Sequence, residues 1–389
     1  MSTDPRPVIA AGRYAERLER ALAATRAHGL DALLVGVGPD LRYLTGYEAM
    51  PLERLTMLVL SSRGAAIIVP RLERAAAEAG LLGDVEIVTF DEGADPYALV
   101  VARADDGHAG VATIGVSDTL WASHLLAIQA ALAGDPRFTS TDLRVASTGL
   151  RELRMVKDPD EIELLRLAAH AADRVVAQIA AGPLVGRTEA DVAAEVRARL
   201  LAEGHEGASF AIVGSGPNSA SPHHEASDRV IVAGEPIVLD IGGTLSGYGS
   251  DITRTLWVTG GDATKGPDDE FRHLVSVLFA AQAAATQAVA PGVSCEAVDA
   301  AARRIIDAEG YGEAFFHRTG HGIGLEAHED PYVIAGNTEA LRPGMAFSVE
   351  PGIYLVGRYG ARIEDIVVCG PDGPLTLNEA PRELAVVDG

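Results

Sequence analysis

The sequence predicts an α+β protein of two domains, a layered α/β domain over residues 1–150 and a domain of long helices and strand hairpins over 151–389. Three observations carry this expectation. At 389 residues the chain is too long for one ordinary core, and two domains of about 150 to 200 residues each are the default at that length. The first part alternates helical and strand patterns. The second part runs long helices into strand-turn-strand segments, an order that points to α+β packing rather than a doubly wound sheet.

Residues 13–28 carry helical spacing, and DALLVGV at 31–37 is a continuous apolar run suited to a buried strand. Strands follow at 55–61 and 65–70, then a short helix at 71–79, a strand at 85–90, a helix at 96–105, a strand at 111–116 and a helix at 118–133. His28, His108 and His124 are scattered through this part, form no cluster, and are expected on the surface. The second part opens on a well-signalled helix. Asp158 stands at its N-cap, Pro159 at the first helical position, and Glu161 completes a capping box. Leu165, Ala168, Ala169, Ala172, Val176 and Ile179 form its apolar stripe, and Gly182 stops it. Further helices are expected at 188–203, 268–290 and 294–309, ended by Gly204, Pro291-Gly292 and Gly310. No sequence repeat or low-complexity linker is visible.

Composition excludes several functions. Hydrophobic residues at 48% and charged ones at 22% are those of a globular chain, not a disordered one. The net charge of −23, from 55 acidic against 32 basic residues, disfavours nucleic acid and anionic membranes, which need clustered cations. Two cysteines, Cys295 and Cys369, cannot make a disulfide framework, and both thiols are expected to be buried and inert in a reducing compartment. The N-terminal stretch lacks the apolar segment of a signal peptide, and no run reaches the roughly 18 apolar residues of a membrane span. A soluble, cytoplasmic protein is the expectation.

The chemistry gathers in the second part, which holds eight of the eleven histidines. His223, His224, His317, His321 and His328 lie in segments rich in glycine or carboxylates. Two hairpins accompany them. Centring the first, over 235–260, on Leu245 and Ser246 sets Asp240 opposite Asp251. Centring the second, over 345–365, on Gly357 sets Glu350 opposite Glu364, with Arg362 on the same face. An aspartate pair alone would be coincidence in so acidic a chain. Two facing pairs inside apolar strands are another matter, because unpaired buried charge is costly and divalent cations offset it. Four carboxylates balance two dications, and oxygen-rich ligation with one imidazole favours manganese, cobalt or iron(II) over a thiolate zinc site. Metal-assisted hydrolysis is the chemistry implied. In HRTGHGIGLEAHEDPY (317–332) the glycines are read as leaving the backbone free to approach a ligand.

These stretches resemble the pita-bread metallopeptidases, which include Xaa-Pro dipeptidase (prolidase), Xaa-Pro aminopeptidase and methionine aminopeptidase. The likeness rests on NSASPHH (218–224), VLDIGG (238–243), GYGSDITRT (247–255), HRTGHGIGLEAHEDPY (317–332), GMAFSVEPGIY (344–354) and GARIEDIVVC (360–369). The first domain, with RYLTGYE (42–48), is similar to the N-terminal domain of the creatinase/prolidase branch, which methionine aminopeptidases lack. The resemblance implies a creatinase-like N-terminal domain followed by a pita-bread catalytic domain. It also implies two divalent metal ions, manganese foremost with cobalt, iron or zinc as alternatives, held by Asp240, Asp251, His321, Glu350 and Glu364. Asp251 and Glu364 would bridge both ions, and Glu350 would double as general base and proton shuttle. A metal-bridging hydroxide would attack the Xaa-Pro bond of a small peptide, a dipeptide foremost. His223 and His328 would steady the developing oxyanion or the leaving nitrogen, and His317 and Arg362 would line the substrate end. His224 has no role in the resemblance and is read as structural. A homodimer is implied by the family alone. Several relatives carry a tyrosine near Ser209 and Phe210 that this chain lacks, which opens metal preference and pH optimum to change. The alternative on the same fold is a hydrolase or lyase of a small non-peptide metabolite, creatinase-like or ectoine-hydrolase-like.

Overall fold

The computed structural model describes residues 8–105 and 110–389; His108 lies outside them. The chain divides into two compact units at Arg154 and Met155, and residue 150 lies within the helix Ser147–Met155.

In the first unit the apolar runs become a six-stranded sheet. Its order is Glu86–Phe90, Gly64–Pro70, Met57–Ser61, Ala32–Gly36, Gly110–Val116, Phe138–Val145. Met57–Ser61 runs antiparallel to both neighbours and the other pairs are parallel, as short hairpins and helical crossovers respectively require. Leu34, Met57, Val59, Ile68, Ile114 and Ile128 fill its core. Helices at Ala11–Ala27, Tyr97–Ala104 and Ala122–Gly134 stand close to where their spacing puts them, and the expected helix at 71–79 is a 3₁₀ turn, Arg71–Glu73, leading into Arg74–Gly80. Two further elements have weak sequence signals. Phe138–Val145 is a largely polar edge strand with one neighbour, and Pro39–Thr45 is only seven residues, ended by Gly46 in the left-handed conformation. His28 is exposed, but the surface expectation fails for His124. Its ring is buried, lies against Trp121, and is hydrogen-bonded to the Tyr97 hydroxyl at 3.0 Å.

The second unit follows its helix signals closely. The capping box of Asp158 and Glu161 opens Pro159–Ala180, and all six residues of the predicted stripe are buried. Glu189–Ala202, Asp269–Gln287 and Cys295–Ala308 are the other long helices. Cys295 and Cys369 are buried free thiols. The order of elements repeats although the sequence shows no repeat. Each half supplies a helix pair, then strands, then a hairpin. Gly207–Ser215, Glu235–Leu245, Ile252–Val258 and Ala385–Val387 form one sheet, with Tyr248–Gly249 paired to Glu235–Leu245. Glu329–Val333, Gly320–Gly322, Ala346–Val349, Asp365–Gly370 and Gly373–Thr376 form the other. Two separate apolar cores match the halves, one around Val196, Ile237 and Leu239, the other around Phe271, Leu278 and Phe347. Among the described residues, no helix is long and apolar enough to cross a membrane.

The first hairpin differs from its expected register. Thr253 faces Asp240, and Leu245 pairs with Tyr248 around a two-residue turn. Ser246 and Gly247 both have positive φ (51° and 82°), the backbone of the tight turn that matches strand twist. The turn is therefore centred one residue later than expected, which shifts the pairing by two. Asp251 ends up diagonal to Asp240 rather than opposite it. A shift of two leaves every side chain on its own face, so the two carboxylates still share one. The second hairpin keeps the expected register: Gly352 pairs with Arg362, and Val349 with Asp365.

Candidate metal centre and substrate cavity

Between those last two pairs the hairpin opens. Glu350 and Glu364 occupy the gap, and Glu364 turns to bridge Thr253 of the other sheet, its N–H donating to the Thr253 carbonyl at 3.1 Å. Arg254 fixes this seam from behind. Its guanidinium donates to the carbonyls of Thr253 (2.9 Å) and Glu364 (2.6 Å) and to Asp365 Oδ1 (2.6 Å). The seam brings Asp240 and Asp251 from one half against His321, Glu350 and Glu364 from the other.

A cavity of about 1140 Å³ opens on this seam, and all nine expected site residues line it: His223, Asp240, Asp251, His317, His321, His328, Glu350, Arg362 and Glu364. Asp251, His321 and Glu364 each present a ligand atom within 4.8 Å of the other two. His321 Nε2 lies 3.3 Å from Glu350 Oε1 and 3.7 Å from Asp251 Oδ2. Its Nδ1 is 3.1 Å from the Gly322 carbonyl, which can only accept, so Nδ1 carries the proton and Nε2 turns a lone pair toward the acids. Asp240 Oδ1 is buried without a hydrogen-bond partner.

The electrostatics are those of acids crowded out of water. Burial pushes Asp251 well above the usual carboxylate range, and Glu364, Asp240 and Glu350 add to the rise. Burial raises Glu364 well above it too, with Glu350 and Asp240 contributing. Glu350 is pushed up to about 7 by burial, with Arg362 opposing and Asp240 assisting. Burial lowers His321 to about 3, with His328 contributing. An inward lone pair, an orphaned carboxylate oxygen and carboxyls that resist ionisation are what a divalent cation would relieve, so the donor set fits one.

Neighbours missed in the sequence hold these groups. The Thr253 hydroxyl donates to Glu364 Oε2 at 2.6 Å and accepts Arg362 Nε at 3.0 Å. Ser348 Oγ accepts the His321 N–H at 3.0 Å and donates to Glu350 Oε1 at 3.2 Å. Both stand two residues from an expected ligand, so strand alternation was the signal that marked them. Tyr354 had no such cue. Its buried hydroxyl accepts Arg362 Nη1 at 2.8 Å and sits 3.0 Å from His317 Nε2. Arg362 also pairs with Asp240. His317 Nδ1 donates to the Arg318 carbonyl at 2.7 Å, so its Nε2 is left to accept from Tyr354. Burial lowers His317 to about 4, and Arg362 adds to the effect. His328 is lowered by burial first and then by Arg318. His223 is exposed on the cavity wall.

The glycines need a correction. Gly320–Gly322 is an inner strand, and a Cβ on Gly320 would fall 1.8 Å from the Ser348 carbonyl oxygen. Close strand packing requires glycine there, not approach to a ligand. His224 turns away to Glu189, its Nε2 2.7 Å from Oε2. That buried carboxylate also accepts both the N–H and hydroxyl of Ser215 and of Ser227, along with Asn218 Nδ2. Burial pushes Glu189 up, but hydrogen bonds from Ser227, Ser215 and His224 outweigh it and hold the group at about 2. The network pins the loop that carries His223. Ser209 is the extra residue of a β-bulge, and Phe210 beside it lines the cavity where the tyrosine is lacking.

Comparison with known proteins agrees with this geometry. Residues 163–371 match metallopeptidase family M24, and residues 17–156 match the creatinase/prolidase N-terminal domain. The chain is 49% identical over 378 residues to "Probable dipeptidase PepE" of Mycobacterium tuberculosis, covering 96% of each. It is 30% identical to the "Xaa-Pro dipeptidase" of Pyrococcus horikoshii, covering 95% of this chain and 98% of the other. The crystal structure of dipeptidase PepE from Mycobacterium ulcerans superposes with a TM-score of 0.87 at 45% identity, covering 97% and 99%. The chain belongs to metallopeptidase family M24, with a creatinase/prolidase N-terminal domain, and is a metallopeptidase.

Proposed function

We propose that this M24 metallopeptidase is an exopeptidase that hydrolyses Xaa-Pro bonds, dipeptides foremost, with two divalent cations held by Asp240, Asp251, His321, Glu350 and Glu364. The observation that carries the reading is the convergence of these five residues with His223 and His328 on one cavity, where Asp240 Oδ1 lacks a partner. The oxygen-rich donor set favours manganese, with cobalt, iron or zinc as alternatives. Bound there, such cations supply Lewis-acid polarisation of the scissile carbonyl and activation of water.

The chain's own residues supply the rest. A Xaa-Pro bond is a tertiary amide, so its leaving nitrogen has no proton and must gain one as the bond breaks. Glu350, half-buried on the cavity wall beside His321, is the carboxylate we assign to take a proton from water and pass it to that nitrogen. His223 and His328 line the same cavity, and we assign them to steady the charge that gathers on the carbonyl oxygen. Phe210 and Phe316 give the cavity apolar surface for a proline ring. His317 and Arg362 border the substrate end, each held by Tyr354. Naming of the Pyrococcus horikoshii relative as a Xaa-Pro dipeptidase supports the same substrate.

The test is turnover by manganese-loaded protein of Gly-Pro-type dipeptides, longer Xaa-Pro peptides, creatine and ectoine. Cleavage of the dipeptides, lost on chelation and regained with manganese, is expected. Turnover of creatine or ectoine with no Xaa-Pro cleavage would move the chain to the small-metabolite alternative.

A further inference from the structure

The cavity holds histidines in two different proton arrangements. His317 and His321 each set Nδ1 against a carbonyl, which cannot donate, so both carry their proton on Nδ1. His328 is the reverse. Its Nδ1 lies 3.1 Å from Arg318 Nη2, and a guanidinium only donates. Nδ1 must therefore offer a lone pair, and the proton of the neutral ring belongs on Nε2.

We propose that Arg318 is a positioning residue that holds His328 in the Nε2-protonated tautomer, so that His328 meets substrate as a hydrogen-bond donor. Arg318 is itself held. Its guanidinium carbon sits 4.6 Å from the centre of the Tyr332 ring, and Asn337 Nδ2 fixes the Tyr332 carbonyl at 2.6 Å. Tyr332 pairs with His321 across adjacent strands, and the His321 and His328 ring centres are 3.9 Å apart. Arg318, Tyr332, His321 and His328 thus form one packed unit, in which neighbouring imidazoles receive opposite hydrogen-bond instructions. The split matches the chemistry asked of each ring: a lone pair toward the acid cluster from His321, a donor toward a developing oxyanion from His328. The catalytic consequence rests on the Xaa-Pro hydrolase reading; the tautomer does not.

The test uses zinc-loaded protein labelled with ¹⁵N-histidine, because zinc is diamagnetic. Long-range proton–nitrogen correlation reports which ring nitrogen is protonated, and His328→Gln assigns the His328 signals. The expected spectrum has His328 protonated on Nε2 and bare on Nδ1. Arg318→Met, which removes the donor but keeps the bulk, should mix the two tautomers, and Arg318→Lys should keep the native pattern. On a Xaa-Pro dipeptide, Arg318→Met should lower kcat about 10- to 100-fold at equal zinc content and little changed KM. In the His328→Gln background the same substitution should cost nothing more. Protonation of Nδ1 in the native protein, an unchanged spectrum in Arg318→Met, or multiplying losses in the double variant would overturn the proposal. So would a KM rise confined to substrates with a free carboxylate, which would give Arg318 to the substrate. Should the native protein cleave no Xaa-Pro peptide, the spectrum still decides the tautomer, and the failure falls on the functional reading alone.

Discussion

Removing the cations should open a stability gap that widens with pH. Burial moves Glu350 from its ordinary 4.5 to about 7 in the cation-free fold. A carboxyl raised this way binds a proton on folding. Its contribution is complete below about pH 4.5 and is lost as pH rises through about 7. Moving from 4.5 to about 7 corresponds to about 3 kcal/mol for Glu350 alone. Asp251 and Glu364, also raised, act in the same direction. With cations bound, the same carboxylates are held ionised, and that penalty disappears. His317 and His321 are lowered to about 4 and 3, so each gives stability that grows as pH rises from those values and is complete above the ordinary 6.5. Both rings stay neutral in the stripped and loaded folds, so they cancel in the difference. Calorimetry of stripped and loaded samples at fixed free metal, from about pH 5 to pH 8, should show the difference in Tm growing with pH. For a unit the size of Met155–Gly389, about 3 kcal/mol corresponds to about 6 to 12 °C. Parallel Tm profiles, or a gap that narrows as pH rises, would refute the assignment of these acids to a shared cation site.

Glu350→Gln keeps the shape of the side chain and removes the base, so turnover should fall at least about 10²-fold. His328→Ala should lose turnover yet keep its metals, and metal loss measured by elemental analysis would place His328 among the ligands instead. Thr253→Val deletes the hydroxyl shared by Glu364 and Arg362. Metal affinity, measured by titration with a competing chelator, should drop about 10- to 100-fold; unchanged affinity would show that Glu364 holds its place without Thr253. Glu189→Ala strands the donors of buried Ser215 and half-buried Ser227. It should cost about 3 kcal/mol in urea unfolding, and a loss under about 1 kcal/mol would mean that water replaces the carboxylate.

The site was legible where chemistry and local periodicity coincide. The nine residues marked in the sequence line one cavity. Strand alternation puts the acids and Arg362 on the faces that meet there, a rule that survives a register error of two, whereas His223, His317 and His328 reach it from loops. The hairpin turn was misplaced because Ser246, not a glycine, takes the first positive-φ position, where composition gives little warning. Arg318, Tyr354 and Glu189 were passed over for a different reason: the partners of each are set by the tertiary fold and not by helix or strand spacing, and nothing local distinguishes an arginine that orders an imidazole from a solvated one. The repeated halves were hidden similarly, since only their apolar cores need agree. That architecture accounts for the charge arrangement. Each half already carries two acids on one face, Asp240 with Asp251 and Glu350 with Glu364. The seam adds a third approach, Asp251 to Glu364, at the Thr253–Glu364 bridge between the halves. A cation held by Asp251, His321 and Glu364 would therefore tie the two halves together, because its ligands come from both.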